Sequence, residues 1–247
     1  MPVAALYDIH GNLPALEAVL GDVRRAGADL VVVGGDVVPG PMPRECMDVL
    51  LELDLPARFI RGNGDRSVLE VMRGMEPADV PEPFRDVIRW SARELAGRED
   101  LLAGWPPTLE MEIGGIGEVL FCHATPRSDT EIFTRLTPDE RLAPLFEGVE
   151  TPLVTCGHTH MQFDRTAGRT RVVNAGSVGM PFGEPGAYWL LLGDTVDLRR
   201  TPYDLAAAAA RIRATAYPQA EDFAANNVLR PLSEEKVLAA FTHAEPK

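Results

Sequence analysis

The fold is decided by residues 3–36, which read VAALYDIHGNLPALEAVLGDVRRAGADLVVVGGD. Residues 3–7 form a short apolar run that predicts a strand, and the segment after it carries leucine and valine at helical spacing. Asn12 is placed to cap that helix and Gly27 to end it. Residues 30–33 are continuously apolar, which is typical of a buried parallel strand. The stretch is therefore a βαβ unit.

The pattern continues in the next thirty residues. A helix is predicted over residues 44–53 and a third strand over residues 58–60, so the first third of the chain reads β-α-β-α-β. Asp8, Asp36 and Asn63 each follow one of the three strands. Because ligands of open α/β sheets gather at the carboxyl ends of the strands, we expect these three polar residues to meet.

The rest of the chain predicts further α/β structure. A helical insert is expected over about residues 67–104, with its apolar stripe against the core, although a mobile lid is the alternative. Residues 109–200 predict a hairpin and several short strands, and residues 203–247 predict C-terminal helices. No repeat or domain linker stands out, so we expect a single domain over residues 1–247.

Composition limits the classes of partner. The chain has 247 residues and a net charge of −13, and this acidic balance argues against binding long nucleic acids. A small anion still fits if metal ions make its pocket locally positive. No stretch approaches the roughly 20 apolar residues of a membrane span, so no membrane partner is expected. Three cysteines without framework spacing predict no disulfide scaffold and favour the cytoplasm.

Four of the five histidines stand in short polar runs at predicted strand ends. Asp8 and His10 are separated by one residue, and His158 and His160 repeat that spacing. At the end of a strand, this spacing predicts that both side chains point to the same side. Taken alone, each residue has an ordinary explanation, because aspartate commonly caps turns and neutral histidine packs well with one hydrogen bond.

Three further donors complete the set. Asp36 has two oxygens with which to bridge two cations, Asn63 offers a neutral carbonyl oxygen, and His123 follows another predicted strand. Seven nitrogen and oxygen donors are too many for one tetrahedral zinc ion, which takes four ligands. The spacing therefore predicts a centre for two metal ions that keep open or water-filled positions.

Motifs spread over residues 8–160 resemble the signature of the calcineurin-like metallophosphoesterases, and they follow that family's order. They are Asp8-x-His10, Gly35-Asp36, Gly62-Asn63, His123 and Gly157-His158-x-His160. Three details are similar to a small prokaryotic branch described as phosphodiesterases or diadenosine-tetraphosphatase-like proteins. These details are Asp8-Ile9-His10-Gly11-Asn12, His123-x-x-Pro126-Arg127 and Asn174-Ala175-Gly176-Ser177-Val178-Gly179.

The resemblance implies a fold and a mechanism. The fold is a four-layer α/β/β/α sandwich of two mixed sheets with two divalent metals between them. One ion takes Asp8, His10 and His160, the other takes Asn63, His123 and His158, and Asp36 bridges them. A hydroxide that bridges the metals attacks phosphorus in line. The family commonly uses Mn²⁺, Fe, Zn²⁺ or Ni²⁺, and of these we expect manganese.

The implied activity is hydrolysis of a small phosphorylated molecule, namely a phosphodiester, a phosphoanhydride or a nucleotide, by a monomer or a homo-oligomer. The alternative is a non-catalytic protein-interaction scaffold, because the same fold serves in that way in the retromer complex. All seven ligand positions are filled in this chain, and this favours the enzyme.

Other residues are candidates for supporting roles. Arg66 and Arg127 can clamp a phosphate with their planar guanidinium groups, although solvated surface arginine is the ordinary alternative. Asn12 can touch phosphate or cap its helix, and Asp65 can orient a metal ligand from behind or cap the following helix.

One position departs from the family's pattern. Many members carry a histidine after the asparagine, and that histidine is thought to protonate the leaving oxygen. This chain has Gly64 there, which has no side chain to donate a proton. Because general acid catalysis typically contributes about 10²–10⁴-fold, we expect a preference for esters and anhydrides with acidic leaving groups. The alternative is that another group or water donates the proton.

Overall fold

The strands lie in two groups along the chain. A computed structural model of the protein describes residues 1–77 and 80–244. Its strands are β1 (Val3–Leu6), β2 (Leu30–Val33), β3 (Ala57–Phe59), β4 (Thr108–Ile113), β5 (Gly117–Cys122), β6 (Leu153–Cys156), β7 (Phe163–Ala167), β8 (Thr170–Asn174), β9 (Ala187–Leu192) and β10 (Val196–Thr201). The first three alternate with helices, as the sequence predicts.

Helices connect and flank these strands. They are α1 (Leu13–Arg25), α2 (Pro43–Leu51), α3 (Asn63–Met72), α4 (Glu82–Glu94), α5 (Glu99–Ala103), α6 (Asp139–Leu142), α7 (Leu205–Arg213), α8 (Ala220–Phe223) and α9 (Glu234–Ala244). A 3₁₀ turn at Ala143–Phe146 extends α6, and a π-helical segment at Ala224–Leu229 extends α8. The last part of the predicted C-terminal helical region, residues 245–247, lies outside the described residues.

The strands form two mixed five-stranded sheets. The first has the order β10-β9-β1-β2-β3, in which β1, β2 and β3 are parallel and β9 is antiparallel to β1. The second has the order β4-β5-β6-β8-β7, in which β5, β6 and β8 are parallel and the edge strands are antiparallel. The loops that follow the parallel strands of each sheet therefore all lie at the same edge of that sheet.

The two sheets pack face to face. Side chains such as Val3 and Val32 from the first sheet and Phe121 and Val173 from the second form the core between them. The outer face of the first sheet is covered by helices, and that of the second by α6 and the 3₁₀ turn. The predicted α/β/β/α sandwich is confirmed. Strands buried on both faces need apolar residues at every position, which explains the unbroken run at residues 30–33.

The helical insert packs on the first sheet. Its first helix, α3, begins at Asn63, four residues before the predicted boundary at residue 67. Val87, Ile88 and Leu95 on the following part of the insert are buried in the same core as the helices over that sheet. Within the described part of the chain, no helix is both long and apolar enough to cross a membrane.

Candidate metal centre and catalytic cleft

The two sheets meet at the edge where their parallel strands end, and loops from both enter the same cleft. The first sheet contributes the loops after β1 and β2 and the start of α3, which carry Asp8, His10, Asp36 and Asn63. The second contributes the loops after β5 and β6, which carry His123, His158 and His160. The candidate ligands are thus brought together by the packing of the two sheets.

Unusual backbone geometry marks these loops. Among residues 1–77 and 80–244, the non-glycine residues with positive φ are Asp8, His10, Asp36, His158 and His160, with φ between 46° and 64°. Left-handed backbone costs a residue with a side chain about 1–3 kcal/mol and persists only where surrounding structure imposes it. All five belong to the predicted ligand set. Strain of this kind clusters at functional sites.

This geometry corrects the predicted reason for convergence. Strand alternation does not align Asp8 with His10, because β1 already ends at Leu6. Instead, the loop backbone is tied to the loop after β2, where Asp8 N donates to Gly35 O at 3.1 Å and His10 N donates to Asp36 O at 2.9 Å. The left-handed turns then direct both side chains inward.

Glycines allow the loops to approach closely. A Cβ at Gly62 would lie 2.2 Å from Asp36 Oδ1, and one at Gly157 would lie 2.4 Å from Asp8 Oδ2. Neither distance is compatible with a side chain. The glycines that precede Asn63 and His158 in the sequence motifs are therefore required by contact with the two carboxylates.

One group of donors is formed by Asp8, His10 and His160. His160 Nε2 lies 3.3 Å from Asp8 Oδ1 and 3.3 Å from His10 Nε2. The three residues offer ligand atoms that all lie within 4.8 Å of one another. Such a cluster fits within the coordination sphere of one ion.

A second group surrounds His123. Its Nε2 lies 3.5 Å from Asp36 Oδ2 and 3.8 Å from Asp8 Oδ1, and Asp8, Asp36 and His123 also offer atoms within 4.8 Å of one another. Asn63 Oδ1 lies 3.1 Å from His123 Nε2. With the amide turned over, its nitrogen donates to His158 Nδ1 at 3.0 Å. One atom of the Asn63 amide therefore lies between two imidazole rings.

Backbone carbonyls fix the histidine rings from behind. Nδ1 lies 3.3 Å from Pro39 O in His10, 3.0 Å from Gly34 O in His123 and 2.8 Å from Met180 O in His160. A ring that donates from Nδ1 directs the lone pair of Nε2 into the cleft, as metal-binding histidines do.

The centre contains a buried carboxylate oxygen without a hydrogen bond. Asp8 is fully buried, and its Oδ2 accepts from His158 N at 2.9 Å. Its Oδ1 is buried with no hydrogen bond to the described residues. The Nε2 atoms of His10, His123 and His160 lie 3.3–3.9 Å from it, and a buried carboxylate in these surroundings is stabilised by positive charge. Together with the nitrogen and oxygen donors around it, this atom fits a divalent metal with a preference for such ligands.

The electrostatics of the centre favour a cation. Burial acts to raise the pKa of Asp36, but the charge and hydrogen bond of His123 hold that pKa below its usual range. Conversely, burial acts to lower the pKa of His123. The Asp36 and Asp8 carboxylates have the larger opposite effect and raise this pKa to about 10. Burial lowers the pKa of His158 to about 4. The two carboxylates stay ionised and attract positive charge.

Asp65 holds the loop that presents Asp36. Its Oδ2 accepts from Asp36 N at 2.8 Å and from Gly62 N at 3.0 Å, and its Oδ1 accepts from Val38 N at 3.1 Å. Burial, followed by repulsion from Asp36, raises the pKa of Asp65 to about 7, against the effect of its backbone donors. The two roles considered from the sequence are combined, because one carboxylate caps α3 and fixes the Asp36 loop.

Ser177 supports the centre from a turn beneath it. Its hydroxyl donates to Asp8 O at 2.8 Å and accepts from Met180 N at 2.8 Å. Met180 in turn holds His160 through its carbonyl. The motif at residues 174–179 pointed to this turn, but the contact of Ser177 with Asp8 joins distant parts of the chain.

Comparisons with known proteins agree with this geometry. The model of the calcineurin-like phosphoesterase superfamily domain matches residues 1–195. The chain belongs to this superfamily. It is 30% identical, over 72% of its length and 76% of the relative's, to an uncharacterized protein of Methanocaldococcus jannaschii. As a member, this phosphoesterase is a metal-dependent phosphoester hydrolase.

Solved structures show the same architecture. A metallophosphoesterase from Sphaerobacter thermophilus aligns with a TM-score of 0.70 and 27% identity over 91% of this chain and 97% of that one. A hypothetical protein from Pyrococcus horikoshii aligns with a TM-score of 0.77 and 22% identity over 94% and 99%. The alignments extend through nearly the whole chain, beyond the residues that the family model matches.

Two arginines proposed for phosphate binding lie beside the centre of the phosphoesterase, in a second cavity of about 380 Å³ that His123 borders. Arg66 pairs with Asp129 at 2.7 Å, and Arg127 is bonded to Glu131. We call this cavity the arginine cavity, after Arg61, Arg66 and Arg127 in its lining. The structure places both residues near the centre but engages their guanidinium groups with carboxylates.

Asn12 is placed beneath the centre. It is fully buried, its Oδ1 accepts from Ala15 N at 3.3 Å, and its Nδ2 donates to Gly179 O at 2.9 Å. The capping role is observed. The substrate-binding role is not supported, because the amide has no surface open to the cleft.

A larger cavity opens on the other side of the centre. It has a volume of about 650 Å³, and His10, Asp36 and Asn63 line one end of it. The other end, away from these three residues, is lined by side chains of the insert and of the C-terminal segment. We call it the cap cavity. No sequence motif indicated it, because its walls come from segments more than a hundred residues apart.

Proposed function

We propose that this phosphoesterase binds two divalent ions and hydrolyses a small phosphodiester, phosphoanhydride or nucleotide. The first ion is held by Asp8, His10 and His160, the second by Asn63, His123 and His158, and Asp36 reaches both. The observation that carries the proposal is the convergence of these seven side chains in one cleft, where the buried Asp8 Oδ1 makes no hydrogen bond and lies 3.3 Å from an imidazole nitrogen.

The donor set contains no thiolate. All seven donors are nitrogen or oxygen atoms, and Cys122 and Cys156, which stand near His123 and His158 in the sequence, are buried in the outer core instead. Thiolate therefore plays no part in the proposed coordination. We propose Mn²⁺ as the working metal and expect the Asn63 amide to keep its oxygen toward His123 when an ion is bound, because only the oxygen can coordinate.

Bound ions of this kind activate water at neutral pH and neutralise the charge that develops on phosphoryl oxygens. The protein's own residues keep the geometry. Asp65 and Ser177 fix the backbone of Asp36 and Asp8, and carbonyls hold three of the four imidazole rings. Such preorganisation supplies much of the benefit of a catalytic site, since little rearrangement is needed during reaction.

The structure supports the expected preference for acidic leaving groups. Gly64 N donates to Asp36 Oδ1 at 2.7 Å, and a Cβ at Gly64 would lie 2.5 Å from Val38 O. A side chain at this position is excluded by the backbone. The position that supplies a proton-donating histidine in many relatives is thus closed, and a substrate whose leaving group needs no proton is favoured.

We also propose that the chain acts as one domain in the cytoplasm. Val87 in the insert, Ile212 in α7 and Leu6 in the first sheet belong to one continuous hydrophobic core, which supports the single domain. The free, buried state of Cys46, Cys122 and Cys156 supports a reducing compartment.

Metal loading and hydrolysis test the proposed function together. Purified protein reconstituted with Mn²⁺ is expected to contain two ions per chain by elemental analysis and to hydrolyse bis-p-nitrophenyl phosphate. The same protein treated with a chelator is the control. Two bound ions without hydrolysis would refute the proposed reaction, and a single ion with full activity would refute the dinuclear centre.

Leaving-group preference is tested by a second comparison. The enzyme is expected to turn over bis-p-nitrophenyl phosphate faster than glycerol phosphate, whose alkoxide is a poor leaving group. Faster turnover of glycerol phosphate would show that another group donates the proton.

A further inference from the structure

We propose that the cap cavity binds an uncharged, planar ring substituent carried by the substrate's phosphorus, with Phe84 against the ring and Asn227 and Ser67 at its polar edge. This inference rests on the proposed function, because it assumes that the reacting phosphate occupies the centre. It narrows the substrate to phosphate esters of aromatic or heteroaromatic groups.

The position and size of the cavity favour a substituent of the reacting phosphate. His10, Asp36 and Asn63 form part of its wall, so a group attached to phosphorus at the centre enters it directly. Its volume of about 650 Å³ lies within the range of small-molecule sites and exceeds what water or a methyl group needs.

The lining is largely apolar. Phe84, Val87 and Ile88 line one side, and Tyr217 and Phe223 line the other. Phe84 is 53% exposed, although a large apolar side chain gains by burial. A planar ring in the cavity would cover it and form the kind of aromatic contact that offset or edge-on rings make.

Two polar groups in the lining have no hydrogen-bond partner among residues 1–77 and 80–244. Ser67 is buried, yet its hydroxyl makes no hydrogen bond to the described residues, and neither does the side-chain amide of Asn227. Other polar residues of the lining are engaged, because Gln219 donates to Pro83 O at 2.9 Å and Asn226 to Asp222 at 2.7 Å. Hydroxyl and amide groups both donate and accept hydrogen bonds, so they can bind the uncharged polar edge of a ring.

The backbone around Asn227 is also unusual. Residues 224–229 form a π-helical segment, and this segment brings Asn227 to the cavity. Single π-helical turns are rare and occur frequently at functional sites, because they redirect a side chain at a cost in helix geometry. The segment is thus a second, independent indication of a binding role.

Charge excludes an anionic substituent. The residues that line the cap cavity include no lysine or arginine, and they include the carboxylate of Asp222. A second phosphate placed there would meet repulsion without a counter-ion. The arginine cavity on the other side of the centre differs in that Arg61, Arg66 and Arg127 are in its lining, together with Asp129. The uncharged part of the substrate therefore belongs to the cap cavity.

Inhibition by two phosphonates of equal charge tests this inference. Methylphosphonate and phenylphosphonate are compared as competitive inhibitors of bis-p-nitrophenyl phosphate hydrolysis by the Mn²⁺-loaded enzyme. Burial of the ring is expected to make phenylphosphonate about tenfold the stronger inhibitor. The variant Phe84→Ala is expected to bring the two inhibition constants close together. Leu136→Ala removes an exposed leucine outside the cavity and is expected to leave their ratio unchanged.

Inhibition by adenosine 5′-phosphate, whose adenine ring has a polar edge, tests the role of Asn227. Asn227→Ala is expected to weaken its inhibition about fivefold, the effect of one lost hydrogen bond. Asn226→Ala is the matched control and is expected to have the smaller effect, because that amide is already bonded to Asp222. Equal inhibition of the wild type and of Asn227→Ala would overturn the assignment of the polar edge to this residue.

A readout independent of turnover is hydrogen exchange. Phenylphosphonate is expected to slow amide exchange in residues 80–88 and 217–229, and methylphosphonate is not. Normal hydrolysis with equal inhibition by both phosphonates and no added protection would overturn the inference while the proposed function stands. Failure of the loaded wild type to hydrolyse the diester would overturn both.

Discussion

The metal centre and the cap cavity share one cleft but are built differently. In the centre, Asp8 and Asp36 stand on left-handed backbone, are buried, and are fixed by hydrogen bonds from several loops. In the cap cavity, Phe84 and Asn227 stand on helical backbone and keep part of their surface open. The conformation of the metal centre is therefore fixed by many contacts with its surroundings, whereas that of the cap cavity is fixed by fewer.

This difference follows from what each region has to do. A metal ligand tolerates positional errors of only a few tenths of an ångström, and the left-handed backbone and buried hydrogen bonds of Asp8 and Asp36 agree with the ligand role proposed for them. A wall that recognises a ring tolerates adjustment, because apolar contact is not directional. We therefore expect substitutions in the centre to abolish chemistry and substitutions in the cavity wall to alter selectivity alone.

The largest effect is expected from Asp36→Asn. The amide keeps the shape of the side chain but removes the charge that both proposed ions share, so activity on bis-p-nitrophenyl phosphate should fall on the order of 10³-fold. Elemental analysis should show fewer than two ions per chain. Asp29→Asn, the same change at an exposed position, is the control and should be neutral. Full metal content and activity in Asp36→Asn would contradict the central role of the carboxylate.

Metal removal is expected to lower thermal stability. A ligand present at 100 times its dissociation constant stabilises the folded state by about 2.7 kcal/mol. For a chain of this size, that corresponds to roughly 5–10 °C in Tm. Scanning calorimetry with Mn²⁺ and with a chelator measures the difference. An unchanged Tm would mean that bound ions do not stabilise the left-handed loops or the buried Asp8 carboxylate.

Substitution of two helical glycines by alanine is expected to change the free energy of unfolding in opposite directions. Gly64→Ala places a Cβ 2.5 Å from Val38 O and 3.0 Å from Asp36 Oδ1, so we expect a loss of about 1–3 kcal/mol in the free energy of unfolding. Gly21→Ala in α1 meets only the flexible end of Arg25, at 3.4 Å, and should gain up to about 1 kcal/mol. Chemical denaturation measures both. A stable, active Gly64→Ala would show that the centre is less rigid than its contacts indicate.

The smallest effect on stability is expected from Phe84→Ala. Because the side chain is 53% exposed, its loss should change the free energy of unfolding by no more than about 0.5 kcal/mol. Leu102→Ala in the same insert removes a fully buried side chain and should lose about 2–5 kcal/mol. A large loss of stability in Phe84→Ala would show that the cavity wall is part of the structural core.

Much of the fold could be predicted because its signals are local. The alternation of apolar runs and helical stripes gave the β-α-β-α-β order, and the ends of those runs placed Asp8, Asp36 and Asn63 at one edge. The fate of Asn12 and Arg66 could not be predicted in this way. Their partners, Gly179 and Asp129, lie far away in the sequence, and spacing alone does not show which polar groups will be satisfied.

The sequence by itself determined the family, the sheet-forming segments and the candidate donor residues, because each depends on residue type and short spacing. Only the tertiary structure decided how those donors are aimed, since the left-handed turns are imposed by hydrogen bonds between loops such as Asp8 N to Gly35 O. It also decided the cap cavity, whose walls at Phe84 and Asn227 meet only after the helices have packed. Contacts between residues so far apart in the sequence arise when the helices pack, and the local periodicity of the sequence does not predict them.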